Sequence, residues 1–225
     1  MNVEGLGVVA CDVVRAELER VVGDRDVPMR FLEYSLHSTP ADMRGRIVEA
    51  LAALRSDGAE RAALGYGLCS NGVVGVESDG PLVMPRCHDC IAMLLGSPRQ
   101  YFEMFRRHPG TYFLTEGWVR NYGDPLSSVE RKYVPRMGEK KALRGMSLEL
   151  ANYKAFCFVD NGVGDRASVK ARTLENCRVF KKEYMEVAAS LDYFRALIDG
   201  PHGRDDFVEL PTGDKIVNDL FYNII

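Results

Sequence analysis

Gly5-Leu6-Gly7-Val8-Val9-Ala10-Cys11-Asp12-Val13-Val14 decides the reading of this chain, because its hydrophobic period changes midway. Residues 5–10 form a short apolar run with the length and composition of a buried strand. Past Cys11-Asp12 the apolar residues fall at Val13, Val14, Leu18, Val21 and Val22, the spacing of one helix face. The segment predicts strand, cysteine, helix, and the same order recurs along the chain.

Residues 29–36 predict an extended stretch that ends at His37. Ser38-Thr39-Pro40-Ala41-Asp42 then predicts a helix start, with Thr39 as N-cap and Pro40 at the first helical position, and with Ile47, Leu51 and Leu54 on one face. Further strands are expected at 61–66, 81–85, 111–115, 155–159, 184–188 and 207–210. Helices are expected from residue 91 onward and over 139–153, 169–177 and 191–198, while 121–136 reads as a long loop. Strands alternating with helices imply an α/β fold, in which parallel β-sheet is covered by helices in a Rossmann-like layered architecture. Residues 1–225 read as a single α/β unit; the alternative is two similar lobes divided near residues 110–140.

The 225 residues are 46% hydrophobic, ample for a buried core. Against 32 acidic residues stand 29 basic ones, a net charge of -3, which offers no excess to attract nucleic acid or an anionic membrane. The opening residues lack a basic start followed by a long apolar stretch, and no window approaches the roughly 18 apolar residues that span a bilayer. A soluble, cytoplasmic protein is expected, with a homodimer as the prior for its size. Six cysteines without a secretion signal point to reduced thiols rather than to a disulfide scaffold.

The informative point is where these residues fall. Cys11, His37, Cys69 and the group Cys87-His88-Asp89-Cys90 each follow the end of an expected strand. In a parallel sheet those ends share one edge, where ligands bind at topological switch points. Thiolates and imidazoles suit zinc, iron-sulfur clusters and other soft or borderline metals, and a tetrahedral site needs about four of them. Cys11, Cys69, Cys90 and His88 are the expected ligands, with Cys87 as the alternative to His88. His37 would complete the site or act as a catalytic acid/base; its other reading is a polar residue beside a helix start. Cys87 and Cys90 alone fit a metal-free dithiol pair equally well.

Cys157, inside Phe-Cys-Phe, and Cys177 read as packing residues. Gly65-Tyr-Gly-Leu-Cys-Ser-Asn-Gly72 lacks the signatures of a P-loop or a dinucleotide fold, so its glycines are read as freeing backbone amides around Cys69. Tyr66, Gly67, Asn71, Gly72, Thr115 and Trp118 are expected to line the cofactor- or substrate-binding cleft, although core packing is the commoner fate of Tyr66 and Trp118.

Three motifs combine here: Tyr66-Gly67-Leu68-Cys69-Ser70-Asn71-Gly72; Pro85-Arg86-Cys87-His88-Asp89-Cys90-Ile91 with Leu95-Gly96-Ser97; and Pro109-Gly110-Thr111-Tyr112-Phe113-Leu114-Thr115 with Gly117-Trp118. Together they resemble the family catalogued as domain of unknown function 1638. In that family's pattern, cysteines match Cys11, Cys69 and Cys90, with His88 in one branch, whereas the position of Cys87 is often alanine. The resemblance ranks Cys87 below the other three. Its members are uncharacterised proteins of anaerobic bacteria and methanogenic archaea, often encoded near corrinoid-dependent methyltransferases. It therefore implies one-carbon metabolism, with a corrinoid methyltransferase system as partner.

The leading expectation is a metal-binding protein with a small-molecule substrate or cofactor, its status as an enzyme left open. A zinc site would hold a thiol substrate as a methyl-accepting thiolate; an iron-sulfur cluster would suit electron transfer. The alternatives are a corrinoid- or tetrapyrrole-binding accessory protein using His37 or His88 as axial ligand, or a metal-free dithiol redox protein. A plain enzyme is the remaining option, with packed cysteines and chemistry carried by Asp89, Asp160 or Glu116.

Overall fold

The computed structural model describes residues 3–203 and 205–221. In chain order it contains β1 (Leu6–Cys11), α1 (Arg15–Val22), β2 (Met29–Leu32), α2 (Pro40–Ser56), β3 (Arg61–Gly65), β4 (Leu82–Pro85), α3 (Cys90–Leu94) and α4 (Pro98–Arg107). There follow β5 (Thr111–Leu114), α5 (Glu116–Arg120), α6 (Pro125–Ser128), α7 (Val134–Met137), α8 (Glu139–Glu149), β6 (Ala155–Asp160), α9 (Arg166–Phe180), β7 (Glu183–Ala188), α10 (Asp192–Asp199) and β8 (Phe207–Leu210). The chain divides into two compact units: one comprises Met1–Tyr101 and Ser190–Ile225, the other Phe102–Ala189.

The first unit is built on a five-stranded sheet of order β2-β1-β3-β4-β8. β1 pairs in parallel with β2 and β3, and β3 with β4. Every residue of β1 is buried, as an unbroken apolar run in a central parallel strand requires. Val8 and Val9 are 0% exposed, each side chain contributing roughly 1.5–3 kcal/mol through burial. The two faces are covered by different helices. A Cβ on Gly65 would sit 2.6 Å from the Ala10 Cβ and 3.3 Å from Leu18 Cδ1 of α1, so residues 10 and 65 face α1. A Cβ on Gly7 would sit 2.9 Å from Leu54 Cδ1 of α2, so the odd-numbered positions of β1 face α2. The second unit has a three-stranded parallel sheet, β5-β6-β7, whose core gathers Leu114, Leu126, Met146, Phe156 and Phe180.

The α/β class and the mostly parallel, helix-covered layering expected from the sequence are present. Three local expectations are corrected. The extended stretch at 29–36 stops at Leu32, because β2 is an edge strand whose only ladder ends where Leu32 meets Cys11; Tyr34–Ser38 is a 3-10 turn. The expected loop at 121–136 is helical over α6, a π-helical turn at Val129–Tyr133, and α7, ending at Gly138 with φ 77°. Asp124 starts it by accepting from Ser127 N, with Pro125 next in line, a start signal present in the sequence. Finally, β8 runs antiparallel to β4 at the sheet edge rather than parallel. Among the described residues no helix is long and apolar enough to cross a membrane.

Candidate functional site

The strand order of the first unit reverses at β1. From β1 the chain passes through α1 to β2 on one side, then returns through α2 across β1 to β3 on the other. Connections leaving β1 and β3 therefore diverge over opposite faces, which makes their carboxyl ends a topological switch point, the place where α/β sheets bind ligands. Cys11 is the last residue of β1. The register pairs Ala10 with Gly65, so Cys11 and Tyr66 are the next pair along, and alternation turns both toward the α2 face.

Cys69 and Cys90 arrive from the adjoining loops. Leu68 N donates to Cys87 O and Cys69 N to His88 O, both at 2.9 Å, extending the β3–β4 pairing past the strand ends. At Gly67 the approach is so close that a Cβ would lie 2.8 Å from Asp89 N and 2.9 Å from Cys87 O, so no other residue fits without moving backbone. Cys69, Ser70 and Asn71 then take left-handed conformations in succession, with φ of 45°, 56° and 67°. Such geometry costs on the order of 1–2 kcal/mol per residue, least for asparagine. Cys90 opens α3, held there by Asp89, whose Oδ1 accepts from Ile91 N at 2.9 Å and Ala92 N at 3.4 Å. Tyr101 donates to the other carboxylate oxygen at 3.4 Å, while burial raises the Asp89 pKa.

Three sulfurs thus converge from three segments. Cys69 Sγ lies 3.9 Å from Cys90 Sγ, and Cys11 hydrogen-bonds to Cys90. Cys11 and Cys90 are 7% and 6% exposed, whereas Cys69 is half-buried. The bond to Cys90, followed by burial, pushes the Cys11 thiol far above the usual range. At Cys90 the bond to Cys11 acts downward, but the bond to Cys69 and burial outweigh it. All six cysteines are free thiols. Among the described residues, no group of three or more His, Cys, Asp or Glu side chains stands in an arrangement that holds a metal ion. The sulfurs are set instead as hydrogen-bonded thiols, with Cys90 between Cys11 and Cys69.

Tyr66 is 1% exposed, and its hydroxyl has no hydrogen-bond partner among the described residues. Burial holds it protonated, reinforced by Cys11, Cys90 and Cys69 in that order.

The other expected site residues are placed as follows. His88 has an exposed side chain and reaches Cys69 through its backbone carbonyl. His37, also exposed, lies in the 3-10 turn after β2, with its ring against Tyr34 and Nε2 3.4 Å from Ser38 Oγ. Cys87 is fully buried and directs its sulfur to Asp89 O at 3.3 Å. Asn71 and Gly72 shape the turn after Cys69, whose carbonyl accepts from Gly72 N at 3.0 Å. Thr115 and Trp118 belong to the second unit: Thr115 caps α5 by accepting from Trp118 N, and Trp118 packs against that unit's core. There too, Cys157 lies inside β6, pushed up to about 12 by burial and then by Glu186, and Cys177 donates to Glu183 O. Sequence reading passed over Glu17, a carboxylate 0% exposed within α1. The signal was its place three or four residues beyond Val13 and Val14, on the apolar face.

Comparison with curated proteins and with solved structures finds no match. A family model described as a protein of unknown function (DUF1638) matches residues 31–198, a segment that includes Tyr66, Cys69 and Cys90 and begins after Cys11. With that match extending over most of its length, the chain belongs to the DUF1638 family of proteins of unknown function.

Proposed function

We propose that the first unit binds one soft metal ion, zinc by preference, on Cys11, Cys69 and Cys90, and leaves one position for a small-molecule substrate. The observation that carries this reading is the 3.9 Å between the Cys69 and Cys90 sulfurs. Two thiolates 2.3 Å from one tetrahedral ion stand about 3.8 Å apart. Ion binding would replace the S–H···S bonds with thiolates regrouped around the cation, releasing protons. The half-buried Cys69 marks the accessible side.

A cubane iron-sulfur cluster fits less well, because it spreads its cysteines over separate irons and so farther apart. Bound here, a zinc ion would supply Lewis acidity and hold a substrate thiol as thiolate. The chain's own contribution is positional: Asp89 fixes Cys90, the Gly67 approach fixes Cys69, and the β1 ladder fixes Cys11. A role in corrinoid methyl transfer rests on the family resemblance alone. Two exposed histidines, His37 and His88, support the second reading, a tetrapyrrole held by an axial imidazole. For a metal-free dithiol, the close pair is Cys69 with Cys90 rather than Cys87 with Cys90.

Elemental analysis with a visible spectrum, on protein purified without oxygen, tests the proposal. About one zinc per chain is expected in the wild type and none in Cys69→Ser. Several irons with a broad visible band, or uptake of a corrinoid in place of zinc, would replace this reading; a metal-free wild type would end it.

A further inference from the structure

The three convergent thiols differ in how a reagent reaches them, and that difference orders them. Cys69 is half-buried in a turn whose next residues, Ser70 and Asn71, are exposed, as is His88, whose carbonyl accepts from Cys69 N. Cys90 and Cys11 are more deeply buried, at 6% and 7% exposure. Cys69 Sγ stands 3.9 Å from Cys90 Sγ, and Cys90 in turn hydrogen-bonds to Cys11, so Cys90 is the middle member of the row. An accessible thiol in contact with a buried one is the arrangement that exchanges disulfides: the outer sulfur attacks and the inner one resolves. Cys87 has no part in it, since its side chain is 0% exposed and its sulfur is directed to Asp89 O at 3.3 Å.

We propose that Cys69 and Cys90 reduce a low-molecular-weight disulfide, with Cys69 as the attacking and Cys90 as the resolving thiol. The Cys69 sulfur, its proton given to solvent, attacks one sulfur of the substrate; the substrate S–S bond breaks, and the other half leaves and takes up a proton as free thiol. The Cys90 sulfur then attacks Cys69 Sγ, the mixed disulfide breaks, and the second thiol leaves carrying the Cys90 proton. One substrate disulfide is reduced to two thiols while the pair is oxidised to a Cys69–Cys90 disulfide, so no other oxidant enters. Closing that bond brings the sulfurs from 3.9 Å to about 2 Å, a displacement of about 1 Å for each side chain. The mixed disulfide on Cys69 meets Cys90 rather than Cys11, because Cys90 lies between them. The half-buried position of Cys69 suits a small, unbranched disulfide over a protein one. This activity uses the thiols as they stand and does not rest on a bound metal.

The test uses the full-length protein, reduced and desalted without oxygen in the presence of a chelator, then mixed with 2-hydroxyethyl disulfide and quenched in acid at intervals. Mass spectrometry of the wild type is expected to show a transient single adduct on Cys69. A Cys69–Cys90 cross-link, lighter by the two thiol hydrogens, should follow as 2-mercaptoethanol is released. In Cys90→Ala the Cys69 adduct should persist about tenfold longer or more, because the intramolecular resolving thiol is gone. The absence of any adduct, a first adduct on Cys11 or Cys87, a cross-link that omits Cys69, or a wild-type adduct as long-lived as that of Cys90→Ala would overturn the proposal. Peptide mapping of the wild type decides the order of attack even where Cys90→Ala does not fold. Zinc content, measured on protein purified without chelator, is a separate readout, so the metal site and this activity can each fail alone.

Discussion

The carboxyl edges of the two parallel sheets share an architecture but treat their polar groups in opposite ways. In the second unit the strand order β5-β6-β7 advances in one direction, without the reversal that makes a topological switch point. Its edge groups are matched among themselves. Thr115 caps α5, Asp165 caps α9, Glu116 pairs with Arg120 at 3.1 Å, and Arg166 grips both oxygens of Asp160. In the first unit the order reverses at β1, and the edge presents three thiols bonded only weakly to one another beside a tyrosine hydroxyl without a hydrogen-bond partner among the described residues. Polar groups whose capacity is filled hold a fold together, whereas those with capacity to spare are where a ligand gains most.

Paired cysteine substitutions break this comparison most directly. Cys69→Ser is expected to abolish zinc retention and Cys157→Ser to leave it intact. The Cys157 change should instead cost about 1–3 kcal/mol of stability, since it places a hydroxyl at a position 0% exposed. Metal analysis and denaturant unfolding of the two variants read both effects. Zinc lost from both, or retained in both, would erase the distinction between the two edges.

The same contrast explains what was legible in the sequence. Cys11, Cys69 and Cys90 were accessible to reading because each follows an apolar run, and in a parallel sheet the ends of such runs must share an edge. The arrangement behind them was not. Whether Cys87 or Cys90 faces the other sulfurs depends on Asp89 capping α3, which turns Cys90 toward Cys69 and leaves Cys87 bonded to a backbone carbonyl. Thr115 and Trp118 also follow a strand, one that belongs to the second unit's sheet. The division after Tyr101 falls inside α4 (Pro98–Arg107), so the boundary lies within a helix rather than in an open linker. The antiparallel course of β8 is set by its return beside β4, a long-range pairing that periodicity does not encode.

A second effect, intermediate in size, sharpens the claim that the second unit's polar groups are structural. Asp124 is 0% exposed and is met by Arg172 Nε at 3.0 Å, Asn176 Nδ2 at 2.8 Å and Ser127, while Arg172 also reaches Glu130 and Glu175. Arg172→Met strips the buried carboxylate of its cation while keeping most of the side-chain volume. A loss of about 3 kcal/mol in unfolding free energy is expected, with zinc content unchanged. A loss below 1 kcal/mol would mean that Asn176 and Ser127 suffice, and that the guanidinium serves the surface carboxylates instead.

The smallest effect concerns Asp160 and has a definite sign in pH. Arg166 holds the Asp160 carboxyl below its usual range, chiefly by hydrogen bonding, with help from Gly162 N at 3.1 Å. A depressed folded-state pKa adds stability above the carboxyl's unfolded value, and that stability is lost as pH falls through the folded value. Arg166→Gln should therefore move the Asp160 titration upward toward the ordinary carboxylate range. Because the arginine is well exposed, the accompanying stability loss at neutral pH should be slight and should vanish in acid. Carboxyl-detected NMR titration of both proteins reads the shift, and urea midpoints at neutral and acidic pH read the linkage. An unmoved titration would show that the loop backbone rather than the ion pair governs this carboxylate. The second unit's edge would then owe its saturation to chain geometry, as the turn at Gly67 does in the first.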